Sequence, residues 1–373
     1  MIRNKLPRLV LTLILTLMLA VVSGCGGSKG SGSTAPVTDI PLASGFAKGA
    51  DVSWLTQMEA TGYKFYNDQG VEADLFDILK DHGINAIRLR AWVDPDGGWN
   101  GTADVVAKAK RAKEAGMDLM IDFHYSDSWA DPGKQYKPKD WLTETTIAGL
   151  CQRLKEHTVM VLTALKGEGI TPKWVQVGNE TDAGMLFGHW DNASNKYISD
   201  GGLDLTDLNK HFAEYAQLVT AGSRAVKSVF PESLVIVHLS KGYDNGLYKW
   251  NIGGLIAKDA EFDVIGMSLY PSPGNWSSYN SQCLNNISDM VNKYGKPVMI
   301  CEAGMEYTAA ATCKTFLIDL MRKVNSVPGG KGLGVFYWEP QCYGDWPIGD
   351  PYRMGAWGND GRPTEAMDAF LIK

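Results

Sequence analysis

Two glutamates stand where a carboxyl group could do covalent work. Glu180 follows the apolar stretch Trp174-Val-Gln-Val-Gly178 and is preceded by Asn179. Glu302 closes a second such stretch, Val298-Met-Ile-Cys301. Both stretches read as strands from their β-branched and aromatic content. Two carboxyl groups flanking one sugar linkage are the requirement for glycoside hydrolysis. One is protonated and delivers its proton to the leaving oxygen. The other is ionised and attacks the anomeric carbon, which needs a separation of about 5 Å. Neighbouring groups must push the two pKa values apart. Arg90 is expected to hold one carboxylate ionised, while like charge and partial burial keep the other protonated.

Further polar residues collect at the ends of other strand-like segments. Arg88 and Arg90 fall on one face of Ala86–Trp92, and Asp122 and His124 on one face of Leu119–Tyr125, because side chains alternate along a strand. His238, Tyr270 and Trp338 sit in or at the ends of Leu234–Leu239, Val264–Tyr270 and Gly334–Trp338. A buried ionisable group is costly unless paired or wet. Core packing therefore explains the set poorly, although His238 alone reads equally well as a hydrogen-bonded core group.

The elements that must position these residues alternate strand and helix eight times. The strands are Ala47–Ser53, the five segments just named, Trp174–Gly178 and Pro297–Glu302. The helices between them are Val71–His82, Ala103–Ala115, Thr145–Lys166, Leu208–Val229, Leu247–Ala260, Gln282–Tyr294, Thr312–Val324 and Thr364–Ile372. Gly83 and Gly116 follow the first two helices as stops that accept positive φ. Eight such units imply an α/β fold, a single-domain (β/α)8 TIM barrel spanning 45–373, with its chemistry at the C-terminal strand ends. A doubly wound sheet would carry a Gly-rich phosphate turn after its first strand, and Ser53–Gln57 has none. Gly26-Gly-Ser-Lys-Gly30 fits G-x-S-x-G but lacks the strand and helix that an esterase elbow needs.

Lys and Arg number 36 against 42 Asp and Glu, for a net charge of −6, so a nucleic-acid partner is not expected. Twelve Trp and fifteen Tyr suit sugar binding. The start reads as an export signal: Arg3, Lys5 and Arg8, an apolar run from Leu9 to Val22, then Val22-Ser-Gly-Cys25. It resembles a bacterial lipoprotein signal, which implies cleavage after residue 24, lipidation of Cys25 and a flexible tether over 25–44. Removal of three positive charges takes the mature chain to −9. Five other cysteines (151, 283, 301, 313 and 342) leave at least one free thiol, and Cys301 reads as buried and inert. No zinc spacing or nucleotide motif occurs, so neither metal nor cofactor is expected.

At this point the residues resemble a known group. Val-Gly-Asn179-Glu180 and Ile-Cys-Glu302 are similar to the acid/base and nucleophile positions of clan A glycoside hydrolases. Longer runs resemble family 53, the endo-β-1,4-galactanases: Gly49-Ala-Asp51-Val-Ser53-Trp54, Ile87-Arg88-Leu-Arg90-Ala-Trp92-Val-Asp94-Pro95, Ile121-Asp122-Phe-His124-Tyr125-Ser-Asp127-Ser-Trp129-Ala-Asp131-Pro132-Gly133-Lys134-Gln135, and Trp174 to Thr181. The resemblance implies retaining endo-hydrolysis of β-1,4-galactan by a monomer. It makes Glu180 the acid/base and Glu302 the nucleophile. Asn179 would hold the sugar 2-hydroxyl, and Tyr270 and Arg90 would orient Glu302. Trp92, Trp129 and Trp338 would stack on sugar rings, and Asp51, Asp122, His124 and Asp127 would bind hydroxyls. Ala303-Gly-Met-Glu306-Tyr307 departs from the family pattern and offers Glu306 as a lesser rival to Glu302. The short Tyr307–Thr312 segment has no Asp-rich calcium loop. Another clan A specificity (mannan, xylan or β-glucan) and a non-catalytic glycan-binding lipoprotein are the alternatives.

Overall fold

The computed structural model describes residues 41–373 apart from 192, 193, 195, 199–204 and 206. The export segment, Cys25 and most of the tether lie outside the described residues.

Eight parallel strands close into a barrel. In chain order they are Ala47–Asp51, Ala86–Ala91, Asp118–Phe123, Trp174–Val177, Leu234–Leu239, Val264–Leu269, Val298–Ala303 and Gly332–Trp338. They are called strands one to eight below. The first pairs with both the second and the eighth, so no edge is left unpaired. The helices Leu75–Asp81, Thr102–Glu114, Ile147–Gly167, Leu208–Val229, Asn245–Ala257, Trp276–Tyr294 and Ala310–Asn325 follow the first seven strands. Their starts have chemical causes. Asp74, Thr146 and Asp244 accept backbone N–H groups of the first turn, which supplies partners that a helix start lacks. The expected final helix is a 3-10 turn, Met367–Leu371. A short helix, Leu55–Ala60, and a hairpin pairing His189–Asp191 with Lys196–Ile198 were not anticipated. Both lie in loops at the mouth, where local pattern is weak.

The barrel interior is layered. Its closed end is filled by Ala47, Ala86, Met120, Trp174, Ile236, Val264, Met299, Cys301 and Phe336. Gly49 makes room for this filling, since a Cβ there would lie 2.1 Å from the Phe336 ring. Above the apolar layer the inward positions turn polar: Asp51, Arg88, Asp122, Gln176, His238 and Ser268 are all buried. Alternation alone creates this change of layer, because residues two apart point the same way one step further along the axis.

Strand seven breaks the alternation. Met299 and Cys301 both belong to the inner filling, so a regular strand would turn Glu302 outward to the helices. Strand six pairs Met267 with Ile300 but Ser268 with Glu302, which leaves Cys301 unmatched. Strand eight shows the same excess, pairing Val335 with Ile300 and Tyr337 with Ala303. This extra residue is a bulge, and bulges re-aim side chains. It is the local cause of Glu302 entering the mouth. All five described cysteines are free thiols, and Cys301 is fully buried.

On the outer layer His157 is buried against Phe123, Tyr125 and Trp141, and neither ring nitrogen has a hydrogen-bond partner. Burial pushes its pKa down to about 4. An unfolded histidine titrates near 6.5, so the unfolded chain takes up the proton first as pH falls. Stability should therefore decline from about pH 6.5 down to about pH 4, by roughly 2–3 kcal/mol from this group alone. A His157→Leu variant should show a flatter loss of stability over that range in urea unfolding at pH 7 and pH 5; parallel losses in both proteins would refute this.

Candidate active site

Four of the residues that end or follow barrel strands have left-handed backbone: Tyr125 (φ 50°), Glu180 (φ 45°), Lys241 (φ 48°) and Glu339 (φ 49°). None is glycine, so each costs about 1–3 kcal/mol and must be held by its surroundings. At Glu180 the turn is fixed from both sides. Gly178 has φ 85°, and the Thr181 N–H donates to the His238 carbonyl at 2.9 Å. The Gln135 side-chain amide donates to the Asn179 carbonyl at 2.8 Å. The chain thus leaves strand four and turns at once, and Glu180 is held over the mouth.

Arg88 is the centre of the polar layer. It is fully buried and meets three carboxylates: Asp51 at 2.7 Å, Asp122 at 2.8 Å and Oε1 of Glu302 at 2.9 Å. It also donates to Oδ1 of Asn179 at 2.9 Å and to Oε1 of Gln176 at 3.2 Å. The other oxygen of Glu302 accepts the Tyr270 hydroxyl at 2.8 Å. Both oxygens of Glu302 are therefore held by named donors. Burial raises its pKa, and Arg88 and Tyr270 oppose that rise. Burial also acts against ionised Asp122, but Arg88 and His124 outweigh it and hold that carboxyl below its ordinary value.

Glu180 has no cation at its carboxyl group among the described residues. Its hydrogen bond comes from the Ser268 hydroxyl, 2.8 Å from Oε1. Burial, then the negative charge of Glu302, pushes its pKa up to about 8. Ser268 is the strand-six partner of Glu302, so one hydroxyl brings Glu180 to the side of the second carboxylate. The pair therefore favours the proton on Glu180 and the charge on Glu302, since of the two only Glu302 has an ion-pair partner among the described residues.

Arg90 does not do what the sequence suggested. It shares a face with Arg88 but lies one layer nearer the mouth, and it pairs with Glu339 at 2.5 Å rather than with Glu302. Its guanidinium lies 4.9, 5.3 and 4.3 Å from the ring centroids of Trp54, Trp92 and Trp129. Such contacts are worth about 0.5–2 kcal/mol each. Trp54 touches Trp129 and Trp338 at 5.3 and 5.2 Å, so the three expected stacking residues gather round one that carried no assigned role. Glu339 is also held by the Trp54 backbone N–H and by Gln341.

Of the expected hydroxyl binders, Asp51 and Asp122 have no exposed surface and are both paired with Arg88 below the mouth. His238 is equally buried and meets Gln176, Asn179 and Ser268. Asp127 uses its two oxygens on the backbone N–H groups of Asp94 and Lys139, and so clasps two loops. His124 nearly closes the layer: Nδ1 accepts from the Trp92 indole at 3.0 Å and the Ala130 N–H at 3.1 Å, and Nε2 meets Asp122 at 3.0 Å. Asn179 lies beside Arg88 with one amide hydrogen on the Ala130 carbonyl, leaving the other for a ligand. Glu306 is exposed beyond strand seven. Gln176, Ser268 and Glu339 were assigned no role from sequence. The inward register of strands four and six could have flagged the first two.

The family model for glycosyl hydrolase family 53 matches residues 47–370, nearly the whole barrel. The chain belongs to glycosyl hydrolase family 53. An endo-β-1,4-galactanase of Bacillus subtilis is 33% identical over 79% of this chain and 70% of its own. An arabinogalactan endo-β-1,4-galactanase of Cellvibrio japonicus is 31% identical over 88% of this chain and 90% of its own. A family 53 catalytic domain of Ignisphaera aggregans superposes with a TM-score of 0.76 at 29% identity, covering 90% of this chain and 99% of that one. This family 53 chain is thus a glycosidase, with its mouth built as described above.

The Arg90–Glu339 pair yields a test. Arg90→Met should leave a buried carboxylate unpaired and cost about 3–5 kcal/mol of stability. Adding Glu339→Gln should recover most of that loss. Denaturant unfolding of the single and double variants measures both, and equal stability of the two variants would contradict the pairing.

Proposed function

We propose that this glycosidase is a retaining endo-β-1,4-galactanase, with Glu180 as acid/base and Glu302 as nucleophile. One observation carries the residue assignment: Glu302 is gripped by Arg88 and Tyr270, whereas Glu180 has a hydroxyl partner and a pKa raised to about 8. Glu180 donates its proton to the leaving oxygen as Glu302 attacks the anomeric carbon. Glu180, now ionised, then takes a proton from the water that releases the sugar. Asn179, fixed by Arg88, holds a hydroxyl of the bound sugar. The tryptophans round Arg90 supply apolar faces for sugar rings. The galactan specificity rests on the relatives' named activities. A polar groove of about 310 Å³, lined by residues including Asp94, Ser128, Tyr136 and Lys139, runs beside the mouth and suits further units of a polymer.

The enzyme is further proposed to act as a monomer, exported and anchored to a bacterial membrane through lipidated Cys25. The basic start, apolar run and small residues before that cysteine support this reading. Metabolic labelling with a lipid analogue would find the label in the native protein and lose it in Cys25→Ala; equal labelling, or none, rejects the anchor.

Glu302→Gln should abolish turnover of galactan and of activated aryl galactosides alike. Glu180→Gln should keep the first step on substrates with good leaving groups and slow the second, with azide rescuing turnover as the β-galactosyl azide. An α-azide product would reject retention. Release of reducing ends from mannan or xylan instead of galactan would reject the specificity.

The pH profile follows from the raised acid/base. Activity requires protonated Glu180, so kcat/KM on galactan should fall as pH rises through about 8. The aryl galactoside with a good leaving group should lack that limb in its first step. A shared basic limb would place the titration elsewhere.

A further inference from the structure

The acid/base is met by a line of buried polar side chains that starts on its own strand, at Gln176, and returns through strands five and six. The Gln176 amide nitrogen lies 3.0 Å from Nδ1 of His238. That nitrogen can only donate, and the orientation of the amide is fixed because its oxygen accepts from Arg88. Nδ1 also lies 3.0 Å from Oδ1 of Asn179, which can only accept, so the contacts at Nδ1 suit either ring tautomer. Nε2 lies 2.9 Å from the Ser268 hydroxyl oxygen. The Ser268 hydroxyl in turn reaches Oε1 of Glu180, 2.8 Å away.

We propose that Ser268 is a positioning residue for the acid/base: by donating to Oε1 it confines the carboxylic proton of Glu180 to Oε2, the oxygen left to meet the glycosidic bond. This inference rests on the reading of Glu180 as acid/base. His238 is fully buried, and burial together with the charge of Arg88 lowers its pKa well below the ordinary value, so it stays neutral and keeps a single hydrogen. Arg88 touches Glu302 directly, and a line of contacts through Gln176, His238 and Ser268 joins it to Glu180. This line also has a role in the second step. Ionised Glu180 keeps the Ser268 hydrogen bond while its other oxygen takes a proton from water, so loss of the hydroxyl favours the protonated form.

The groups facing the Ser268–Glu180 contact can be named. Glu302 comes from strand seven, Tyr270 from the end of strand six itself, His238 from strand five, and Asp182 and Asp131 from the loops beyond strands four and three. None of these is a cation, which leaves the Ser268 hydroxyl as the donor that favours ionised Glu180.

The test compares Ser268→Ala and Ser268→Thr on galactan and on a dinitrophenyl galactoside, across pH. Ser268→Ala should lower kcat/KM on galactan by about 10- to 100-fold, the range for losing one hydrogen bond to a charged group. Its basic limb should move to higher pH, and kcat/KM on the aryl substrate should change less than about twofold, since that step needs no proton. Ser268→Thr should restore the limb. An unmoved limb in Ser268→Ala, or an equal fall on both substrates, overturns the proposal. Azide rescue of Glu180→Ala on the aryl substrate serves as the separate control. If rescue succeeds while Ser268→Ala is silent, Ser268 alone is misassigned; if rescue fails, the reading of Glu180 itself falls.

Discussion

One buried guanidinium orders the mouth of this barrel. Arg88 has no exposed surface and lies against three carboxylates, Asp51, Asp122 and Glu302. Desolvating such a group costs several kcal/mol, and pairing and hydrogen bonding must offset that cost. The compensation comes from strands one, three, four and seven, gathered round the cation that strand two carries. A lysine would be a poor substitute, because a compact ammonium cannot present a planar fork to partners on opposite sides. Closure of the barrel brings those five strands round one point, and so the fold and the site depend on each other.

The strain at the mouth has the same logic. A parallel strand that ends in a regular loop would carry Glu180 up and away from its partner. The left-handed φ at Glu180 turns the chain immediately, and the bulge at Cys301 turns Glu302 from the helix side to the cleft. Both devices are unfavourable in isolation. They persist because Thr181 and Gln135 hold the first turn, and Arg88 and Tyr270 grip the side chain that follows the bulge. The proposed chemistry uses positions that the backbone would not adopt by preference.

Much of this was readable from sequence, and the failures have physical causes. Strand and helix periods alternated clearly enough to give eight units and a barrel. Glu180 and Glu302 were visible because an acid directly after an apolar strand has no packing role. Arg88 and Arg90 were confused because alternation reports the face of a side chain and not its depth. One step along the strand separates a group that holds Glu302 from one that holds Glu339 and a ring of tryptophans. Alternation even argued against Glu302, since the bulge that turns it inward depends on register with two neighbours. Ser268 was passed over because its inward register shows a face and not a partner, and a serine in a strand is unremarkable until its partners are known. The hairpin after strand four and the final 3-10 turn escaped for a simpler reason: short loop elements carry little periodic pattern.

Two cations of one strand divide the labour of the mouth. Arg88 faces carboxylates on all sides and controls where charge and proton reside. Arg90 has one carboxylate partner, and three indole rings surround the rest of its guanidinium. That arrangement fixes the rings without spending their outer faces, because the contacts among them are edge-on. Trp92, Trp129 and Trp338 stay partly exposed while Trp54 is buried behind them. A sugar lying on that surface would meet rings already held in place, and little side-chain entropy would be lost on binding. The same alternation that sets the two arginines side by side along strand two thus keeps the carboxylates proposed to react and the surface of tryptophans in fixed register, one layer apart.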